Sequence, residues 1–472
     1  LIQPIEYTAT VQIEADDAFL QNAHKFFEEK ENKTVVLNVE GRNGTNLQTA
    51  IIPNATIVGE SVTTSAEGSV KITLTYLGHF GKEEQSLDYA NSYVYNVNGD
   101  VTGSVAYDIP NDWHKDDDDV YGLQVGNTCA SIGSASFSGC DNISGDLLIQ
   151  KSVTSIGDNA FDGCSGFRSN LILRGGLNDI GSEAFSRCGF IGDLIIPNSL
   201  TTIGDQAFGA CGGFDGRLRL PNTISSINSS TFSGCSGFTE KLELPDSVVS
   251  ISDAAFADWH SCTEDLVLKE GIQSIGDDAF INWYNLRGDI TIPDSTLQLG
   301  KRVFKNCEKA AGKITLGQNL TGVKEESFKN CKQISEGLTI PNSVSVIESG
   351  AFENCNSISS FEFGNGLTAI ENNAFNNCLS AAGSLLIPSV EFVGDNSFSN
   401  CEKLNGSINL DSAISIGDYA FSRCKKLVGD LYLGSLSGSV GDGSFFNCSS
   451  LDGKLTIGDN VTSVGNISFD NC

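Results

Sequence analysis

The chain has 472 residues, 40% of them apolar, with 51 glycines and only 9 prolines, enough for a large core and too little proline for a disordered chain. Its 29 basic residues against 59 acidic ones give a net charge of -30, which repels phosphate backbones and argues against nucleic-acid binding. No apolar run approaches the ~20 residues of a membrane span, and the start Leu1-Ile2-Gln3-Pro4 has no basic leader, so any secretion signal is expected to be absent from this chain.

Residues 1–110 hold no cysteine and no obvious period. Asp17 to Lys30 reads as an amphipathic helix capped by Asp16 or Asp17. Around it lie strand-like runs at Tyr7–Ile13, Val35–Val39, Val70–Leu77, Tyr93–Val97 and Ser104–Ile109. The expectation is a small α+β or mostly β domain that caps the remainder of the chain. Residues 111–121 then read as an acidic linker, with four consecutive aspartates, Asp116 to Asp119. Oxygen ligands of that kind suit Ca²⁺, but adjacent aspartates do not converge on one ion without a shaped loop. A solvated, self-repelling linker is the reading adopted.

From residue 122 onward a repeat takes over. Fifteen phenylalanines, from Phe137, Phe161 and Phe185 to Phe445 and Phe469, are spaced by 23 or 24 residues. This is the signature of a solenoid of about 14–15 coils over residues 122–472. One clean copy runs from Leu338 to Cys355. Leu338 and Ile340 alternate with Thr339 as a short half-buried strand. Pro341-Asn342 is a turn, and Val344 and Ile347 point inward. A Gly-Asp pair such as Gly157-Asp158 is expected to open a short helical turn with the Asp as its N-cap. At ~4.8 Å per coil, fourteen steps give a rod of roughly 65–70 Å.

The same register accounts for the cysteines. Thirteen of the fifteen stand three residues after the repeat Phe, and Cys129 and Cys262 fall at other inward positions. Buried thiols acting as small apolar side chains are expected, with no metal or redox ladder. Trp259 and Trp283 replace that cysteine in adjacent coils, and a Trp does not fit a thiol's volume. Either the coil repacks, or the rings emerge near His260 and Tyr284 and anchor a ligand.

The phrases SVTSIGDNAFDGCSGF, LTTIGDQAFGACGGF and TIPNSVSVIESGAFENC resemble the BspA-like leucine-rich repeats over about residues 122–472. The resemblance implies a leucine-rich-repeat solenoid built of a β-strand plus short helical turns per coil. It also implies a surface or secreted protein, several family members resembling adhesins that bind host extracellular-matrix proteins or other microbes.

No catalytic signature is present, and no cofactor is expected. The outward strand centres give a more useful series, in which Leu148, Ile172 and Ile195 form an apolar strip beside Arg219, and Tyr432 stands far downstream. Exposed strips of this kind mark interaction sites, unless the N-terminal domain folds over them. The expected function is recognition of a protein ligand, such as a host extracellular-matrix or cell-surface protein, through Leu148, Ile172, Ile195, Arg219, Trp259, Trp283 and Tyr432. The alternatives are a structural spacer or self-assembling rod, associating through a C-terminal coil without a polar cap, and a glycan-binding module using the two tryptophans.

Overall fold

The structure, a computed structural model, describes residues 5–14, 33–40, 46–64, 69–78, 91–95, 101–106 and 108–472. The chain divides into two compact units, Leu1–Asp88 and Tyr89–Cys472. In the first, β1 (Ile5–Glu14), β2 (Lys33–Glu40), β3 (Asn46–Thr64) and β4 (Ser69–Gly78) form an antiparallel sheet in the order β1-β4-β3-β2. The 19-residue β3 pairs with both neighbours, its first part with β2 and its second with β4, through a register shift between Ile57 and Gly59. The helix expected over Asp17–Lys30 lies outside the described residues.

The second unit begins well before the expected boundary at residue 110. Strands β5 (Asn91–Tyr95) and β6 (Val101–Ala106) form an antiparallel hairpin, and β5 also pairs with β7 (Gly122–Gln124) of the solenoid. Val94 is fully buried in the solenoid core. The hairpin therefore belongs to the array, covering the side of its first coil.

Residues 109–119 are a rung of the solenoid, contrary to the linker reading. Ile109 pairs with Ile132, and the N–H groups of Asp112, His114 and Asp116 donate to Ser134, Ser136 and Ser138 of the next coil. His114 occupies the place of the repeat phenylalanine, its ring stacked on Phe137 at 6.3 Å. The period was invisible here because His stands for Phe and Asp117 for Cys. Nor do the four aspartates converge. Asp117 accepts a hydrogen bond from His114 at 2.7 Å, and that bond holds its carboxyl below the usual value despite partial burial.

Each coil carries two short strands that pair in parallel with those of its neighbours. Leu147–Ile149 pairs in register with Leu171–Leu173, and Ser155–Ile156 lies between Ser131–Ile132 and Asp179–Ile180. The third side of the coil departs from expectation, for no helix occurs there in any described coil. The residues two before and two after the repeat Phe are both left-handed, as at Asn159 (φ 56°) and Gly163 (φ 79°) around Phe161. This alternation turns every second N–H toward the next coil. Ala135, Phe137 and Gly139 donate to Asp158, Ala160 and Asp162 at 2.7–2.8 Å. A left-handed non-glycine residue costs about 1–2 kcal/mol, and the bond made to the adjacent coil offsets it.

The Asp of the Gly-Asp pair does cap, but across coils. Asp158 Oδ1 accepts from Ser182 N, and Asp395 Oδ1 from Asp418 N, each at 2.8 Å. The glycine before it allows the close approach, since a Cβ at Gly157 would stand 2.5 Å from Ser134 N.

Inside, the fifteen phenylalanines form one stack, with successive centroids 5.1–5.6 Å apart. One-residue deletions fall in turns. After Cys188 the next ring comes one residue early, yet Phe190 still stacks on Phe167 at 4.6 Å.

Candidate functional site

The strand-centre column faces away from the core, and the parallel register fixes who stands beside whom. Leu148 pairs with Ile172, and Ile195 with Arg219. Leu148 and Ile172 are half-buried, whereas Ile195 is 49% exposed and Arg219 is exposed. Charged groups border this strip at the strand ends. Asp146 Oδ1 accepts from Asn170 N, and Asp193 pairs with Arg217 at 3.4 Å, while Arg174 follows the strand on the other side. An apolar centre with a polar rim is the ordinary anatomy of a protein-binding patch. Tyr432, 52% exposed, lies in the same column, its ring resting over Gly434, where a Cβ would come within 2.3 Å of Cζ.

Trp259 and Trp283 are not at the surface. Both are buried and stacked on each other at 5.3 Å with an interplanar angle of 1°. In the preceding coils a second aromatic column, Phe167, Phe190, Phe214 and Phe238, runs beside the main one. Trp259 continues it, 4.8 Å from Phe238, reaching the same space from the cysteine position. Where Phe238 stands in its own coil, the Trp259 coil has the small Cys262, so the two substitutions balance in volume. The polar atom is matched as well. Elsewhere the thiol donates to the carbonyl of the preceding repeat Phe, as Cys235 Sγ does to Phe208 O at 3.1 Å. Trp259 Nε1 and Trp283 Nε1 donate to Phe232 O and Phe256 O at 2.7 and 2.6 Å. Neither ring is available as a ligand anchor, protein or glycan.

All fifteen cysteines are free thiols, buried except Cys472. Burial pushes Cys140 and Cys211 up to about 12, which removes thiolate reactivity near neutral pH. Among the described residues, no group of three His, Cys, Asp or Glu side chains is placed to hold a metal ion. No helix among them is long and apolar enough to cross a membrane.

A column that the sequence pattern did not bring out is the residue just before the repeat cysteine. Asn306, Asn330, Asn354, Asn377 and Asn400 each donate through Nδ2 to the Oδ1 of the asparagine one coil earlier, at 2.7–2.9 Å, starting on Asn282. All six are left-handed, a conformation asparagine tolerates better than most residues. The recurrent Asn-Cys dipeptide was the signal. Beside it, the coils around residues 278–353 are laced by ion pairs, Arg302–Asp278, Lys305–Glu326, Lys329–Glu326 and Lys329–Glu353.

With this geometry in view, the comparisons are consistent. The BspA type leucine rich repeat region matches in six copies over residues 108–235, 178–311, 275–405 and 415–472, starting at the rung that His114 occupies. A leucine-rich repeat protein from Bacteroides ovatus is similar at 23% identity with a TM-score of 0.54, over 88% of this chain and 91% of that one. A leucine rich cell surface protein from Faecalibacterium prausnitzii is similar at 21% identity with a TM-score of 0.41, over 70% and 93%. No curated protein matches the chain. The family model covers most of the chain, and the chain belongs to the BspA-type leucine-rich repeat family.

Proposed function

We propose that this protein is a non-enzymatic recognition module, displayed at a cell surface or secreted, that binds a protein ligand through the strand-centre face of its solenoid. The observation that carries this reading is the outward series Leu148, Ile172 and Ile195, in which Leu148 pairs with Ile172 and Ile195 with Arg219 across parallel strands, bordered by Arg217 and Asp193. An apolar strip on a rigid sheet loses little conformational entropy on binding. The charged border adds orientation and specificity more than affinity. Extracellular-matrix and cell-surface proteins are the ligands to test first, in keeping with the family.

The test is a pull-down of the labelled chain against matrix proteins and intact cells, with light scattering on the same sample. A monomer that captures a defined protein, and loses it on Ile172→Asp or Ile195→Asp while its circular dichroism is unchanged, supports the reading. Capture undiminished in both variants removes the strip as the site. An assembling rod that captures nothing replaces recognition with a structural role.

A further inference from the structure

A second site stands on the turn side, where the asparagine ladder stops. Asn400 is the last amide of the run from Asn282, and the next coil carries Arg423 at that position, also left-handed at φ 62°. A guanidinium is too long to continue an amide ladder. Its only tie among the described residues is a long hydrogen bond from Nη1 to Asn400 Oδ1, at 3.5 Å, and no carboxylate pairs with it. Beside it lies a hollow of about 260 Å³ lined by Asn396, Ser399, Asn400, Tyr419, Ser422, Arg423 and Phe446.

Two features point to a ligand. Ser399 and Ser422 line the hollow, and their hydroxyls, open to it, make no hydrogen bond to any described residue. Each hydroxyl is left able to donate and accept toward a ligand, and the two stand on adjacent coils facing one space. The Tyr419 ring is also seated in advance. The corresponding residue of the next coil is Gly443, where a Cβ would stand 2.5 Å from Tyr419 Cε1. The aromatic wall thus depends on a glycine at that position.

We infer that this hollow binds an acidic saccharide, one pyranose unit bearing a carboxylate or a sulfate. The oxyanion lies against Arg423, which offers parallel N–H donors of the kind that grip such groups. The apolar face of the sugar ring lies on Tyr419. Its hydroxyls engage Ser399 and Ser422, which both donate and accept, and the Asn400 amide. An inorganic anion or an acidic peptide side chain would occupy Arg423 alone and leave both serines without partners. The hollow lies below the usual range for drug-sized ligands, which limits it to a single sugar unit.

Calorimetry on the whole chain tests this with four probes: trigalacturonic acid, its neutral methyl ester, a sulfated chondroitin disaccharide and sodium sulfate. At least one acidic saccharide should bind saturably, and the carboxylate and sulfate arms identify which oxyanion is preferred. The neutral ester should bind at least about tenfold more weakly, a charge-assisted pair being worth roughly that much, and sodium sulfate, which keeps that pair but lacks the ring and hydroxyls, should also bind more weakly. Arg423→Gln should abolish the preference for the acidic probe, and Ser399→Ala with Ser422→Ala should weaken it several-fold, with circular dichroism unchanged. Ile172→Asp should leave it intact, so failure here is distinct from failure of the protein-binding strip. Absence of saturable binding by both acidic saccharides, equal binding by sodium sulfate, or full binding by Arg423→Gln would overturn the assignment.

Discussion

Replacing Trp259 by Cys restores the residue that the repeat uses in thirteen other coils, yet it should destabilise the protein. The indole fills the space that Phe238 fills in the coil before, and Cys262 leaves that space otherwise empty. Large-to-small changes at a buried aromatic cost about 3–5 kcal/mol. The hydrogen bond to Phe232 O is not the source of the loss, because thiols serve the same carbonyl position throughout the array. Adding Cys262→Phe should recover most of the stability. The introduced ring would extend the Phe167–Phe238 column by one coil and meet Trp283 as Phe238 now meets Trp259. Urea unfolding, followed by circular dichroism and tryptophan fluorescence, measures both variants. The single variant should also broaden or split the transition, since a defect at mid-array uncouples the coils on either side. A double variant no more stable than Trp259→Cys would refute the volume exchange and leave the tryptophan pair unexplained.

The same ladders have other consequences. Asn330→Ala removes two amide bonds and places alanine in a left-handed conformation, a loss of about 2–4 kcal/mol, whereas Asn330→Gly should cost less because glycine accepts that backbone; thermal melts compare them. The fourteen buried thiols should resist a thiol reagent at pH 8 until urea is added, whereas the exposed Cys472 should react at once. Burial raises Cys140 and Cys211 from an ordinary value near 9 to about 12 in the fold, so their contribution is complete below pH 9 and lost as pH rises toward 12; a melting temperature that does not fall over that interval would contradict it. For Glu326, burial works against ionisation, but Lys305 and Lys329 outweigh it and hold the carboxyl low. That stability should be present above its unfolded value and fade as pH falls through the folded one, and Lys329→Gln should diminish the acid-side loss in a pH series of melts.

The period, the stacked phenylalanines and the buried cysteines were legible, because each depends on side-chain size at a fixed spacing. What was misread depends on backbone conformation. Gly157-Asp158 before a small residue and Phe161 looks like a capped helical turn, and nothing in Asn159, Glu183 or Gln206 announces a left-handed residue. The conformation is imposed by the neighbouring coil, which receives every second N–H and is invisible to a local reading. His114 escaped for the opposite reason. Its backbone obeys the repeat, but its side chain does not match the phenylalanine being counted. The tryptophans could have been placed from the sequence by noticing that Cys262 supplies the missing volume.

These ladders also constrain where recognition can be written. The column of Asp158 and Asp395 is committed to backbone N–H groups of the next coil, and the column of Asn306 to Asn400 to its own amides. A residue serving a ligand from either column would give up a bond that holds adjacent coils together, at about 1 kcal/mol or more each. The strand-centre column has no such duty in most coils, and its residues range from Leu148 and Ile195 to Arg219, Glu243, Thr291 and Tyr432. Diversity there costs the solenoid nothing. On the turn side, a ligand-binding residue is tolerated only where a ladder is already interrupted, which is the position Arg423 occupies. The two candidate sites therefore obey one rule. Side chains are free to recognise a partner where the coils do not need them to recognise each other.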